Sequence, residues 1–111
     1  MLGVILVSVF SAVRESLATE YRVFVGTYSE KDSISKGIYT CLFDSETGQL
    51  SEPKLAIEAV NPSFLAIHPS QEFLYAVNEL SEGDGMVTAM KINHDGTLTE
   101  LNRQSSLGGL P

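Results

Sequence analysis

From residue 21 onward the chain is a succession of short apolar runs cut by Gly, Asn, Asp and Pro. Residues 21–27 (YRVFVGT) are β-branched and aromatic and lead into the polar loop YSEKDSISK. Residues 37–43 (GIYTCLF) end at DSETG, and a weaker apolar stretch over 49–60 is interrupted near Pro53. Residues 63–67 (SFLAI) follow the turn signal Asn61-Pro62 and stop at His68-Pro69-Ser70. Residues 72–77 (EFLYAV) run into Asn78-Glu79, residues 85–92 (GMVTAMKI) into Asn93-His94-Asp95-Gly96, and a last run starts at Leu98. Runs of five to eight residues between turn signals predict strands throughout. Nowhere do apolar residues recur at helical spacing over three turns, so helix is confined, if present, to the N-terminal segment.

That segment departs from the pattern. Residues 1–13 (MLGVILVSVFSAV) are apolar almost throughout, and Ser16-Leu17-Ala18 forms a small-x-small triplet. An apolar core followed by such a triplet has the layout of a secretory leader, although no Lys or Arg precedes Arg14. Residues 1–18 are therefore set apart as a signal-peptide-like leader and 19–111 as the folded domain. Cleavage after Ala18 would make the protein periplasmic or secreted; without it the chain stays cytoplasmic.

Composition narrows the functions. The 111 residues carry seven Lys+Arg against fourteen Asp+Glu, a net charge of −7. That balance argues against nucleic acid as a partner, since its phosphates need a surplus of basic side chains. No apolar run reaches the roughly 18 residues of a membrane span, so no membrane association is expected after leader removal. One cysteine, Cys41, excludes an internal disulfide and a Cys-cluster zinc site. Inside a strand it reads as a small buried apolar residue and not as a nucleophile. No metal site and no cofactor motif is read from the sequence.

The chain also repeats itself. GIYTCLFDSETGQLSE overlays GMVTAMKINHDGTLTE without gaps, matching Gly37 to Gly85, Thr40 to Thr88, Gly48 to Gly96, Leu50 to Leu98 and Glu52 to Glu100. VFVGTY, from Val23, lies over LYAVNE, from Leu74. A period of about 40–50 residues holding four strands is the blade of a β-propeller, whose sheets bury their faces against neighbours. The fold class expected is all-β, a partial β-propeller. One complete four-stranded blade is preceded by three strands of another, after the apolar leader.

The motifs VGTY, SKGIY, NPSFLA-HP, LYAVNE and the GTL-LN region resemble, in combination, the opening of the lactonase family of seven-bladed propellers. Its members include the propeller-type bacterial 6-phosphogluconolactonases, and there is a further resemblance to carboxymuconate-cyclising enzymes. The resemblance covers nearly everything after the leader and implies an N-terminal fragment. In a whole relative the innermost strand of the first blade comes from the distant C-terminus, so that position is expected to be empty here. Exposed blade edges are then expected to favour self-association. The resemblance implies hydrolysis of a sugar lactone by water. It also places the family's His, Arg and Glu residues of the chemistry in later blades, so activity of this chain alone is not expected. A non-enzymatic binding propeller and a carboxymuconate-cyclising relative are the alternatives.

Candidate site residues follow from blade geometry. The innermost strand starts, and the second strand ends, on one rim. This groups Asn61 with Asn78 and Glu79, and with Thr27 and Tyr28 at the equivalent end of the earlier blade. All five are candidates for lining a funnel that binds a polar lactone. Glu79 is the sole candidate for a general base. Lys31 and Lys36 extend from the same rim and would meet a phosphate as point charges. Against this, Asn before Pro and at strand ends commonly serves a turn. Both histidines belong to turns: His68 lies at the opposite end from the rim and His94 in an exposed loop. No Ser-His-Asp set is assembled.

Overall fold

The computed structural model describes residues 4–10, 19–30, 33–80, 83 and 85–107. These form strands, turns and loops, as the alternation predicts. In order they are β1 (Val4–Phe10), β2 (Glu20–Thr27), β3 (Gly37–Asp44), β4 (Gln49–Leu50), β5 (Lys54–Glu58), β6 (Pro62–Ile67), β7 (Phe73–Asn78), β8 (Met86–Ile92) and β9 (Leu98–Ser105). All neighbours pair antiparallel. β6-β7-β8-β9 make one sheet, and β1-β2-β3 make the other, with β4 and β5 sharing the place beside β3. The break at Ser51, Glu52 and Pro53 is the interruption expected near the proline, which has no N–H to give a ladder.

The second sheet is the complete blade predicted, inner strand to outer. The first contains the three strands expected, with one difference. Its inner position is not empty: β1 pairs with β2 from Val4 opposite Thr27 to Phe10 opposite Tyr21. The apolar character of this segment suits an inner strand as well as a leader, and an unpaired β2 edge offers it a row of backbone donors and acceptors. Periodicity alone does not separate these uses of a short apolar run.

The two sheets pack face to face around Phe24, Ile38 and Ala56 of the first and Leu65, Leu74, Ala76, Met90 and Leu98 of the second. Burying each of the larger side chains contributes about 1.5–3 kcal/mol. Close approach is possible because Gly26 has no side chain: a Cβ there would run into the carbonyl oxygen of Pro62 on β6. A second tie lies near the far end of the strands. The Arg22 guanidinium donates to Thr40 Oγ1 at 3.1 Å and occupies the space beside Gly96 in the β8–β9 turn.

Both hairpin turns form where the sequence places them. Asp44 Oδ1 accepts from the Glu46 N–H at 2.9 Å, and Gly48 adopts φ +76°. In the second turn Asp95 Oδ1 accepts from the Thr97 N–H and hydroxyl at 2.9 and 2.6 Å, and Gly96 adopts φ +91°. These bonds hold the Asp95 carboxyl below its ordinary range. The ladder corrects the gap-free repeat, however. Phe24 lies opposite Thr40 and Tyr75 opposite Ala89. With VFVGTY over LYAVNE, Thr40 therefore corresponds to Ala89 and not Thr88. The first turn carries one more residue than the second, which brings Gly48 and Gly96 back into step.

Candidate functional site

The rim is built where β2 and β7 end and β6 begins. Thr27 closes β2, Asn78 closes β7, and Asn61 precedes Pro62 in a left-handed conformation (φ 43°), which Asn tolerates better than most residues. The register pairs Pro62 with Asn78, so both strand ends emerge together.

Asn61 is 7% exposed and its polar atoms are all engaged. Its Oδ1 accepts from the N–H groups of Ser29 (2.7 Å) and Glu30 (3.2 Å). Its Nδ2 donates to Glu30 Oε1 (2.8 Å) and to the Glu79 carbonyl (2.9 Å). Its own N–H donates to Ser29 Oγ at 2.9 Å, and that hydroxyl donates to the Ala59 carbonyl at 2.6 Å. One side chain thus fastens the loop after β2 to the start of β6 and the end of β7. Asn78, also 7% exposed, donates from Nδ2 to the Val60 carbonyl at 2.8 Å and accepts from the Thr88 hydroxyl at 2.7 Å. Thr27 donates to the Gly37 carbonyl at 2.6 Å. Three of the five candidates are therefore buried and committed to the backbone of the rim.

The other two stand differently. Tyr28 is 41% exposed and Glu79 half-buried, and the Tyr28 hydroxyl lies 3.4 Å from Glu79 Oε2. This is long for an O–H···O⁻ bond, so the pair is held loosely. One member comes from each sheet. The chain brings a phenol and a carboxylate together on the rim across two sheets, on a scaffold fixed by Asn61 and Asn78.

Lys36 is not part of this pair. It lines a cleft of about 540 Å³ between the two sheets that adjoins the rim, with Ser29, Glu58, Asn78, Thr88, Glu100 and Arg103. Arg103 donates to both Glu100 oxygens at 3.0 Å, which holds the Glu100 carboxyl below and the Arg103 guanidinium above their ordinary ranges. Lys31 lies outside the described residues. His68 sits in the β6–β7 turn, its Nδ1 accepting from the Ser70 N–H at 3.0 Å and its ring edge-on to Phe73. His94 is exposed in the β8–β9 turn. Among the described residues, no group of three His, Cys, Asp or Glu is placed to hold a metal ion, and no helix is long and apolar enough to cross a membrane.

Sequence reasoning missed Ser29, Glu30 and Thr88, the partners that immobilise Asn61 and Asn78. No local signal marks the first two: they lie in a polar loop, and their partner is 32 and 31 residues away. Thr88 was visible only as a repeat match to Thr40, a correspondence the ladder does not keep.

Residues 22–111 match the family described as lactonase, 7-bladed beta-propeller. The chain belongs to that family. It is 40% identical over 94 residues to a 6-phosphogluconolactonase of Bacillus subtilis, an alignment covering 84% of this chain and 26% of that protein. A candidate 6-phosphogluconolactonase of Bacteroides fragilis, known as a crystal structure, superposes with a TM-score of 0.76 at 37% identity, over 89% of this chain and 27% of the other. The periplasmic gluconolactonase of Pseudomonas aeruginosa superposes with a TM-score of 0.74 at 29% identity, over 84% of this chain and 27% of the other. The chain thus spans about a quarter of the length of these lactonase relatives.

Proposed function

We propose that this chain supplies the first two blades of a sugar-lactone hydrolase, with Tyr28 and Glu79 as its contribution to the wall of the substrate funnel. The observation that supports this is the meeting of Tyr28 and Glu79 on one rim, from equivalent strand ends of adjacent sheets. Opening a lactone requires a water relieved of its proton as it attacks the carbonyl carbon, and donors for the oxyanion that forms. Glu79 takes the proton in this reading. Tyr28 holds the carboxylate in place or turns its hydroxyl to the substrate. Thr27, Asn61 and Asn78 act as positioning residues, since their polar atoms are already engaged. Oxyanion donors and the remaining wall come from further blades, so the two blades by themselves bind weakly and turn over nothing.

The test is hydrolysis of glucono-δ-lactone and its 6-phosphate, above the spontaneous rate, by this chain and by a version carrying further blades of the family. The longer protein is expected to be active and to lose at least tenfold in kcat with Glu79→Gln, with a smaller loss for Tyr28→Phe. Full activity of the longer Glu79→Gln protein would remove Glu79 from the chemistry. A second reading, a binding surface without turnover, is favoured by the commitment of Thr27, Asn61 and Asn78 to the scaffold. Saturable lactone binding by an inactive longer protein would select it.

We also propose that residues 1–18 direct export. Cleavage after Ala18 would remove β1 and expose the β2 edge, so export and β1 pairing exclude one another in one molecule. The N-terminal mass of the protein recovered from its native cells decides between them.

A further inference from the structure

The two sheets pack through an apolar core, but a cleft of about 540 Å³ between them is lined by charge. On the second sheet Glu100 lies opposite Met90 and Arg103 opposite Thr88, so both charged side chains of β9 share the face that Met90 turns to the first sheet. A charged group on such a face is costly unless water or a partner reaches it. Here the cleft reaches it, and the first sheet contributes Lys36 and Glu58 to the same space. These two emerge side by side: Gly37 lies opposite Glu58, and the Lys36 carbonyl accepts from the Ala59 N–H at 3.0 Å.

The four charges are not equally engaged. Arg103 and Glu100 satisfy one another through two bonds of 3.0 Å within β9. Lys36 and Glu58 have no ion-pair partner among the described residues, so an ammonium and a carboxylate line the cleft unpaired. Apolar lining comes with them, from Ile57, Ala76, Met86 and Met90.

We propose that this cleft binds a free α-amino acid with an aliphatic or thioether side chain, such as leucine or methionine. Its carboxylate meets Lys36, its ammonium meets Glu58, and its side chain lies on Ile57, Met86 and Met90. A dipolar ligand suits a cleft whose four charges cancel. A simple anion gains Lys36 but meets Glu58 and Glu100, in a chain of net charge −7. A simple cation has no answer to Lys36 and Arg103. The volume falls within the range of small-molecule sites, and methionines adapt to more than one side-chain shape. None of the described lining residues is an aromatic ring that could stack on a sugar, and the site uses neither Tyr28 nor Glu79. Its charged residues are exposed, so each contributes little and a dissociation constant on the order of 0.1–1 mM is expected.

Titration of the isotope-labelled 111-residue chain with L-leucine, followed by amide chemical shifts, tests this. Saturable shifts are expected at Ser35, Glu58 and Thr88 by about 10 mM ligand. The analogues 4-methylpentanoate, which lacks the ammonium, and 3-methylbutylamine, which lacks the carboxylate, should each bind at least about threefold more weakly. Glycine, without the side chain, should lose at least about tenfold. Lys36→Gln and Glu58→Gln are each expected to weaken L-leucine at least about threefold and to leave the amide spectrum of the free protein otherwise unchanged. If either variant fails to fold, the analogue series on the parent chain carries the test. The absence of saturable shifts overturns the proposal. So does equally tight binding of 4-methylpentanoate or inorganic phosphate, which would make the cleft a simple anion site. Full affinity retained in both variants would put the ligand elsewhere and overturn it as well.

Discussion

Asn61 and Ser29 hold each other reciprocally: the Ser29 N–H donates to Asn61 Oδ1 at 2.7 Å, and the Asn61 N–H donates to Ser29 Oγ at 2.9 Å. Ser29 follows β2 of the first sheet and Asn61 precedes β6 of the second, so the pair is the polar counterpart of the contact between Phe24 and the second sheet. Replacing Asn61 with Ala strands the N–H groups of Ser29 and Glu30 and the Glu79 carbonyl. The expected loss is about 3 kcal/mol in urea denaturation, since each buried orphan costs about 1–3 kcal/mol and some will find water. Asn61→Asp keeps the acceptor but loses both donors and sets a second carboxylate beside Glu30. Its deficit in urea denaturation at pH 7 is expected to be at least as large as that of Asn61→Ala.

How much of this was legible beforehand depends on range. The strands were read from alternation, and the turns from Asp44–Gly48 and Asn93–Gly96, because these signals are local. The rim was legible as a place, since Asn61, Asn78 and Glu79 fall at predictable strand ends. Which of its members are free for chemistry was not, because the answer lies in partners such as Thr88 and Ser29 that only tertiary pairing brings in. The apolar segment Val4–Phe10 shows the same limit: its composition suits a leader and an inner strand equally, and only the unpaired β2 edge draws it into the sheet.

Two hydroxyls in the second sheet are expected to respond with opposite signs. Thr88 donates to Asn78 Oδ1, and Thr88→Val leaves that oxygen buried without a partner, at a cost of about 1–2 kcal/mol. Ser63 Oγ on β6 is buried with no partner among the described residues. Its desolvation is uncompensated, so Ser63→Ala is expected to be neutral or to stabilise by up to about 1 kcal/mol. Thermal or urea melts of the two variants beside the parent check the pair. A large loss for Ser63→Ala would mean that the hydroxyl has a partner, such as ordered water.

Gly26 is expected to tolerate no side chain. A Cβ there overlaps the Pro62 carbonyl oxygen, and β6 cannot retreat without opening the contact among Phe24, Leu65 and Leu74. Gly26→Ala should therefore destabilise by more than 2 kcal/mol, in the range of overpacked cores. It should also raise amide exchange across both sheets, whereas Gly48→Ala, with open space around its Cβ, is limited to the strain of φ +76°. Equal exchange rates in the two variants would contradict the close approach of β2 and β6.

Cys41 gives a readout of the intact first sheet. It is 5% exposed and sits opposite Val23, and burial pushes its thiol above the ordinary value of 9.0, with nearby Arg22 offsetting part of the shift. A thiol held neutral and covered reacts slowly, so modification by a disulfide reagent at pH 8 is expected to be limited by opening of the protein. The rate should then rise in Gly26→Ala and Asn61→Ala in step with their loss of stability. The sign with pH follows from the same shift. The unfolded chain releases the thiol proton near its ordinary value and the folded chain only above it. Stability contributed by the neutral buried thiol is therefore intact below about pH 9 and falls as pH rises beyond it. Cys41→Ala should remove that alkaline fall while costing something at neutral pH for the cavity it leaves. A thiol that reacts in the folded protein as fast as in urea would show instead that the β2–β3 pairing does not cover it.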